Sequence, residues 1–158
     1  MRAFKDSAFI AAARIEISGQ MNDVASDLNG LAKLAEDINE SKLEGHDKDL
    51  FEQVVAGVHQ IKSLFEGANQ MVRNIENFLL SKDFPSSEEM KESIKSSGAD
   101  ITARDELDEY KALSKDEKER FTFVVANYEL ISTMLDSANE LCAVLHKAVK
   151  RLSNTREF

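Results

Sequence analysis

The chain has 158 residues, 42% of them hydrophobic and only one of them proline, which suits one helical domain with a buried core. Because Asp and Glu outnumber Lys and Arg by 29 to 20, for a net charge of −9, the composition argues against nucleic acid and anionic membranes as partners. The single cysteine, Cys142, excludes an internal disulfide and favours a reducing, cytoplasmic location.

The first predicted element is a helix over about residues 4–44. Its core stripe alternates spacings of three and four residues, the period of a helix packed along its length on other helices. The apolar members of this stripe are Ile10, Ile17, Met21, Val24, Leu28, Leu31, Ala35 and Ile38. Arg14 is the charged member, and we expect its stem at the core edge and its head in solvent. The alternative is a buried arginine paired with Glu16 or with a carboxylate of another helix.

The second predicted helix spans about residues 48–80. Gly45 suits a left-handed turn residue after helix 1, and the short connection predicts an antiparallel hairpin. The core positions of helix 2 are Phe51, Val54, Val58, Ile61, Phe65, Ala68, Val72, Ile75 and Leu79. Gly57 and Gly67 lie inside this helix, where they mark either close helix contacts or tolerated surface positions.

Residues 81–113 form a mostly polar insert. Ser86 or Ser87 is a candidate cap for a short helix that ends near Lys95, and a second short helix is predicted over about residues 102–113. Ser114 followed by Glu117 matches a capping box, so the last helix is expected to begin there.

The last helix, over about residues 115–152, has the most regular stripe in the chain. Its members are Phe121, Val124, Tyr128, Ile131, Leu135, Ala138, Cys142, Leu145, Val149 and Leu152. The acidic turn between helices 1 and 2 and the basic end of the chain would be neighbours if three long helices run up, down and up. The sequence therefore predicts an all-α fold: one domain over residues 1–158, an elongated antiparallel three-helix bundle with coiled-coil-like heptads and a short-helix insert.

The last helix carries more apolar residues than a three-helix core needs. The surplus positions, which form an apolar ridge, are Phe123, Leu130, Met134, Leu141 and Val144. The insert is one candidate to cover the ridge, through Met90, Ile94, Ile101, Leu107 or Tyr110. A second copy of the chain and a helix of another protein are the other candidates.

No pattern in the sequence predicts catalysis, a cofactor or a metal. His46, His59 and His146 are scattered, no phosphate-binding glycine loop occurs, and Cys142 with His146 lacks a third ligand. We therefore expect a non-enzymatic interaction module of the adaptor, chaperone, inhibitor or immunity type, which binds another protein or a second copy of itself through the apolar ridge. A self-assembling coiled-coil protein and a helical-bundle sensor domain are the alternatives.

Overall fold

A computed structural model describes residues 7–81, 83–98, 104 and 107–155 of the chain. Within these residues the fold is all-α, with no strand. The helices are α1 (Ala8–Glu36), α2 (His46–Ser81), α3 (Ser87–Ser97), α4 (Asp108–Lys111) and α5 (Lys115–Thr155). In this described part of the chain, no helix has an apolar stretch long enough to cross a bilayer.

The first helix is shorter than its predicted span. It ends at Glu36 rather than near Glu44, and a 3₁₀ turn (Glu40–Lys42) follows, with Asn39 accepting the N–H of Ser41 through its side chain. Asn39 thus caps the start of this 3₁₀ turn, and Gly45, just before α2, has the predicted left-handed conformation with φ of 58°. The predicted start at residue 4, most of residues 99–106 and Ile101 lie outside the described residues.

The chain forms two compact units. Unit 1 comprises residues 1–19 and 68–133, and unit 2 comprises residues 20–67 and 134–158. Helices α1, α2 and α5 contribute residues to both units, whereas α3 and α4 belong to unit 1. Each unit therefore combines two segments that are distant in sequence.

Burial follows the predicted stripes. All ten stripe residues of α5 are buried, at 6% exposure or less. On the first predicted helix the buried positions recur every seven residues, at Ile10, Ile17, Val24, Leu31 and Ile38. The same interval holds on α2 for Val54, Ile61, Ala68 and Ile75. A seven-residue repeat keeps one face of a helix towards its neighbours, and the stripe positions between these, such as Met21, Leu28, Val58 and Phe65, are half-buried.

Arg14 has the environment that its place in the stripe predicted. Its side chain is 46% exposed, and its guanidinium donates to the Glu76 carboxylate of α2 across 2.8 Å. The partner is thus a carboxylate of another helix rather than Glu16, and the half-exposed pair belongs to the rim of the core in unit 1.

In unit 1 the insert encloses the first part of α5. Residues 121–126 of α5 are six consecutive buried positions, so no side of the helix there faces solvent. Phe84 of the insert lies 5.6 Å, centroid to centroid, from Phe78 and 6.5 Å from Phe123. Met90 is 4% exposed, and the Tyr110 ring lies 5.7 Å from that of Phe121.

The insert also caps the start of α1. The Glu109 carboxylate accepts a hydrogen bond from the Ser7 hydroxyl at 2.9 Å and another from the Phe9 N–H at 3.1 Å. The Ser7 hydroxyl oxygen in turn accepts the Ile10 N–H. A carboxylate at a helix N-terminus satisfies otherwise unpaired N–H groups and complements the helix dipole. Glu109 therefore joins the insert to α1 by hydrogen bonds.

In unit 2 one glycine of α2 permits a close helix contact. A Cβ on Gly57 would lie 2.6 Å from Cδ1 of Leu145, and Gly57 is itself buried. A Cβ on Gly67 would lie 3.2 Å from Cε of Met134. Of the two sequence-based interpretations of Gly57, close helix contact is therefore the correct one.

We predict that Tyr128 makes the protein sensitive to alkaline pH. Burial raises the pKa of Tyr128 to about 12, with Glu76 adding to the rise and Arg14 opposing it. An unfolded tyrosine ionises near pH 10, so stability from the neutral phenol is present below pH 10 and lost between about pH 10 and 12. The free energy of unfolding should fall in this window by up to about 1.4 kcal/mol per pH unit.

Chemical denaturation of Tyr128→Phe across this pH window checks the assignment. The variant should lose the slope, whereas Tyr110→Phe should keep it because Tyr128 is still present. The same slope in both variants would contradict the role of Tyr128.

We predict that Glu109→Ala lowers the free energy of unfolding by about 1–2 kcal/mol, because the α1 N-terminus loses its capping carboxylate and Ser7 is left buried without it. Denaturant titration measures the loss. Glu92→Ala removes an exposed carboxylate from α3 and is the matched control, with an expected change within about 0.5 kcal/mol. Equal losses in both variants would refute the capping role.

Candidate partner-binding groove

Four of the five residues of the predicted apolar ridge are buried or half-buried. Phe123 is 5% exposed and packs against the rings of Phe78 and Phe84 in unit 1. Met134 is half-buried, with its Cε beside Gly67 of α2 in unit 2. Leu130 and Leu141 are also half-buried. Val144, at 61% exposure, is the ridge residue with the most free surface.

The structure therefore divides the ridge rather than presenting it as one surface. The insert covers Phe123, which is the covering that the sequence left open as an alternative, and it does so through Phe84, a residue that was not among the expected ones. Phe123 is not available to a partner unless the insert moves. The part of the ridge that is still exposed to a partner is centred on Val144 in unit 2.

Another free surface is a groove between α1 and α5 in unit 2, with a volume of about 740 Å³. One wall comes from α1 and consists of Ser26, Asp27, Gly30, Leu31 and Leu34. The other comes from α5 and consists of Asn139, Cys142, Ala143, His146, Lys147 and Lys150. These positions recur at helical spacing, so each wall is one continuous helix face.

Small side chains make this groove. Ser26 and Gly30 are one helical turn apart on α1 and face Ala143 of α5, so neither helix fills the space between them. A Cβ added to Gly30 would meet nothing within 4 Å. The α5 wall extends over residues 139–150, about 16 Å at 1.5 Å per residue, which matches about three turns of a docked helix.

The groove has an apolar floor and a basic rim. Leu31 and Cys142 are buried beneath it, and Leu34 is half-buried. Lys147 and Lys150 are exposed on the α5 side near one end, while Asp27 lies on the α1 side towards the other end. In a chain of net charge −9, two lysines beside an apolar floor favour a ligand that carries carboxylates.

The groove also brings Cys142, His146 and Asp27 to one surface. Burial is the larger cause and the Asp27 carboxylate the smaller cause of a raised pKa at the Cys142 thiol. A nucleophilic cysteine needs a lowered pKa, so the environment here acts in the opposite direction. Among the described residues no group of three or more His, Cys, Asp or Glu side chains is arranged to hold a metal ion.

The sequence alone did not predict this groove. The available signal was a pair of small residues four apart on α1, Ser26 and Gly30, together with Ala143 on α5 beside the lysines. Which face of α1 lies beside α5 depends on the tertiary structure, so these small residues alone did not indicate a groove.

Comparisons with known proteins provide no family for this chain. No family model matches it, and neither a curated protein nor a solved structure is significantly similar to it. The interpretation of the groove therefore rests on its own residues.

We predict that the Cys142 thiol titrates above the range of an exposed cysteine, because burial and the Asp27 carboxylate both disfavour the thiolate. The pH dependence of its alkylation rate by iodoacetamide measures this. Asp27→Asn should lower the midpoint of the profile without bringing it to that of a free cysteine, since burial is the larger cause. Asp23→Asn, one turn earlier on α1, is the control, and a wild-type midpoint at or below about 8.5 would contradict the assignment.

Proposed function

We propose that the protein is a non-enzymatic interaction module that binds an amphipathic helix of another protein in the α1/α5 groove of unit 2. The observation that carries the proposal is an open groove with an apolar floor and a basic rim on an otherwise acidic chain. Helix-in-groove recognition uses such surfaces, with apolar anchors spaced along one face of the bound helix.

The proposal includes an antiparallel three-helix bundle with coiled-coil-like packing as the scaffold. Within unit 2, Gly57 lies beside Leu145 and Gly67 beside Met134, so residue numbers rise on α2 as they fall on α5. This order supports opposite directions for the two helices. The seven-residue interval of buried positions supports heptad packing. A cytoplasmic location stays a prediction from composition.

Charge complementarity decides which helix the groove accepts. Lys147 and Lys150 flank the apolar floor from α5, where they would attract carboxylates on one edge of the bound helix. Asp27 at the other end would repel an acidic residue and favour a basic or neutral one. The proposed partner is therefore an amphipathic helix with Asp or Glu beside its apolar anchors at one end.

Site-specific crosslinking in cells that express the protein tests this proposal. A photo-crosslinking amino acid replaces Ala143, which is exposed on the groove wall, and the adducts are sequenced by mass spectrometry. We predict adducts with a segment of another protein that has apolar residues at helical spacing and carboxylates beside them. The same amino acid at the exposed position Lys62 of α2 reports the background.

Two glycines of α1 supply a matched pair of variants. A Cβ meets nothing within 4 Å at either Gly30 or Gly19, but only Gly30 lines the groove. Gly30→Leu should reduce the adduct yield roughly tenfold by filling the groove, a loss of about 1.4 kcal/mol in binding. Gly19→Leu should leave the yield unchanged, and both variants should be at least as stable as the wild type, because leucine favours the helix over glycine.

A double variant, Lys147→Glu with Lys150→Glu, tests the basic rim of the groove. It should reduce the crosslinking yield as Gly30→Leu does. Equal crosslinking yields from the Gly30 and Gly19 variants would contradict binding in the groove.

Adducts formed only with a second copy of the chain would favour the self-assembling alternative, for which the exposed Val144 is the motivating observation. Sedimentation of the purified protein distinguishes that outcome, since a monomer at high concentration would exclude it.

A further inference from the structure

A second pocket lies in unit 1, where α3, α4 and the first turns of α5 meet. It has a volume of about 430 Å³. Its lining includes Lys91, Ile94, Tyr110, Lys115, Lys118 and Thr122. Three separate helices thus contribute cationic, aromatic and aliphatic side chains to one surface pocket.

The charge of this pocket is opposite to that of the chain. Among the described lining residues there are three lysines and one carboxylate, Glu119, so the lining has a net charge of +2 where the chain has −9. Glu119 lies 3.9 Å from the Lys91 ammonium, at the outer limit of an ion pair, and the Lys91 side chain is 70% exposed. An exposed pair at this distance neutralises little charge.

Further cations gather at Tyr110. The Lys118 ammonium lies 5.4 Å from the centroid of the Tyr110 ring, and the Arg104 guanidinium lies 5.2 Å from the same centroid. An aromatic ring attracts cations through its electron-rich face, so Tyr110 holds both charges close to the pocket.

The position of the lysines on α5 adds to the positive potential. Lys115 and Lys118 lie in the first turn of α5, a 41-residue helix whose N-terminal end carries a partial positive charge. The same turn carries Asp116 and Glu117, neither of which lines the pocket, and the Glu117 carboxylate accepts the Ser114 hydroxyl at 2.9 Å. Helix N-termini favour bound anions, so this end of α5 complements the lysines of the pocket.

We propose that this pocket binds the phosphate group of a small phosphate monoester, with Lys115, Lys118 and Lys91 on the phosphate oxygens and the organic part against Ile94 and Tyr110. Ammonium groups form strong charge-assisted hydrogen bonds with phosphate oxygens, and the aliphatic and aromatic walls give the organic part an apolar contact. The site lies within unit 1 and shares no residue with the partner-binding groove, so it does not depend on the proposed function.

Calorimetric titration with phenyl phosphate and with inorganic phosphate, at an ionic strength matched with chloride, tests the site. We predict saturable binding of phenyl phosphate, tighter than that of inorganic phosphate because only the monoester contacts Ile94 and Tyr110. Lys115→Gln with Lys118→Gln should weaken binding of phenyl phosphate at least tenfold. Lys33→Gln with Lys62→Gln removes the same charge from exposed positions of unit 2 and should leave the affinity unchanged.

Mapping by NMR on the unaltered protein locates the bound probe without relying on the variants. Phenyl phosphate should shift the amide signals of residues 91–94, 110 and 115–122, and little else. Absence of saturable binding at millimolar concentrations, shifts centred elsewhere, or equal affinity in the pocket and control variants would each overturn the proposal. Inorganic phosphate binding as tightly as phenyl phosphate would overturn the monoester assignment.

Discussion

Burial of the apolar stripe on α5 is the interaction on which both units depend. Four of its ten members, Phe121 to Ile131, belong to unit 1 and six, Leu135 to Leu152, to unit 2, and all ten are buried. Burying one large aliphatic or aromatic side chain contributes about 1.5–3 kcal/mol, so the stripe contributes substantially to the core of each unit. α1 and α2 add a buried position every seven residues.

The insert determines how much of α5 is left for other molecules. In unit 1, Phe84 lies against Phe123 and Tyr110 against Phe121, and the helix is enclosed over residues 121–126. In unit 2 the described residues of α5 pack beside α1 and α2 alone, which leaves Val144 exposed and the wall of the α1/α5 groove open. The difference between the units thus follows from which one contains α3 and α4.

Electrostatics distinguishes the two candidate sites from the rest of the surface. The chain is acidic overall, yet lysines line both the groove, through Lys147 and Lys150, and the pocket, through Lys115 and Lys118. Local positive charge on an acidic protein attracts anionic ligands to a few places and repels them elsewhere, which is a source of specificity. In the groove the lysines lie beside an apolar floor, which suits an amphipathic helix. In the pocket they lie beside an aromatic side chain, which suits a small phosphate monoester, so the two proposed ligands differ.

The sequence by itself determined the all-α class, the α5 stripe and the caps, because heptad periodicity and capping residues act within one helix. Ser114 with Glu117 and Ser86 cap the helices as expected, whereas Gly45 has the expected left-handed conformation although α1 ends at Glu36. The burial of Phe123, the partner of Arg14 and the groove at Gly30 were decided only by the tertiary structure. Each depends on which helix faces which, and periodicity gives the buried face of a helix without naming the neighbour that covers it.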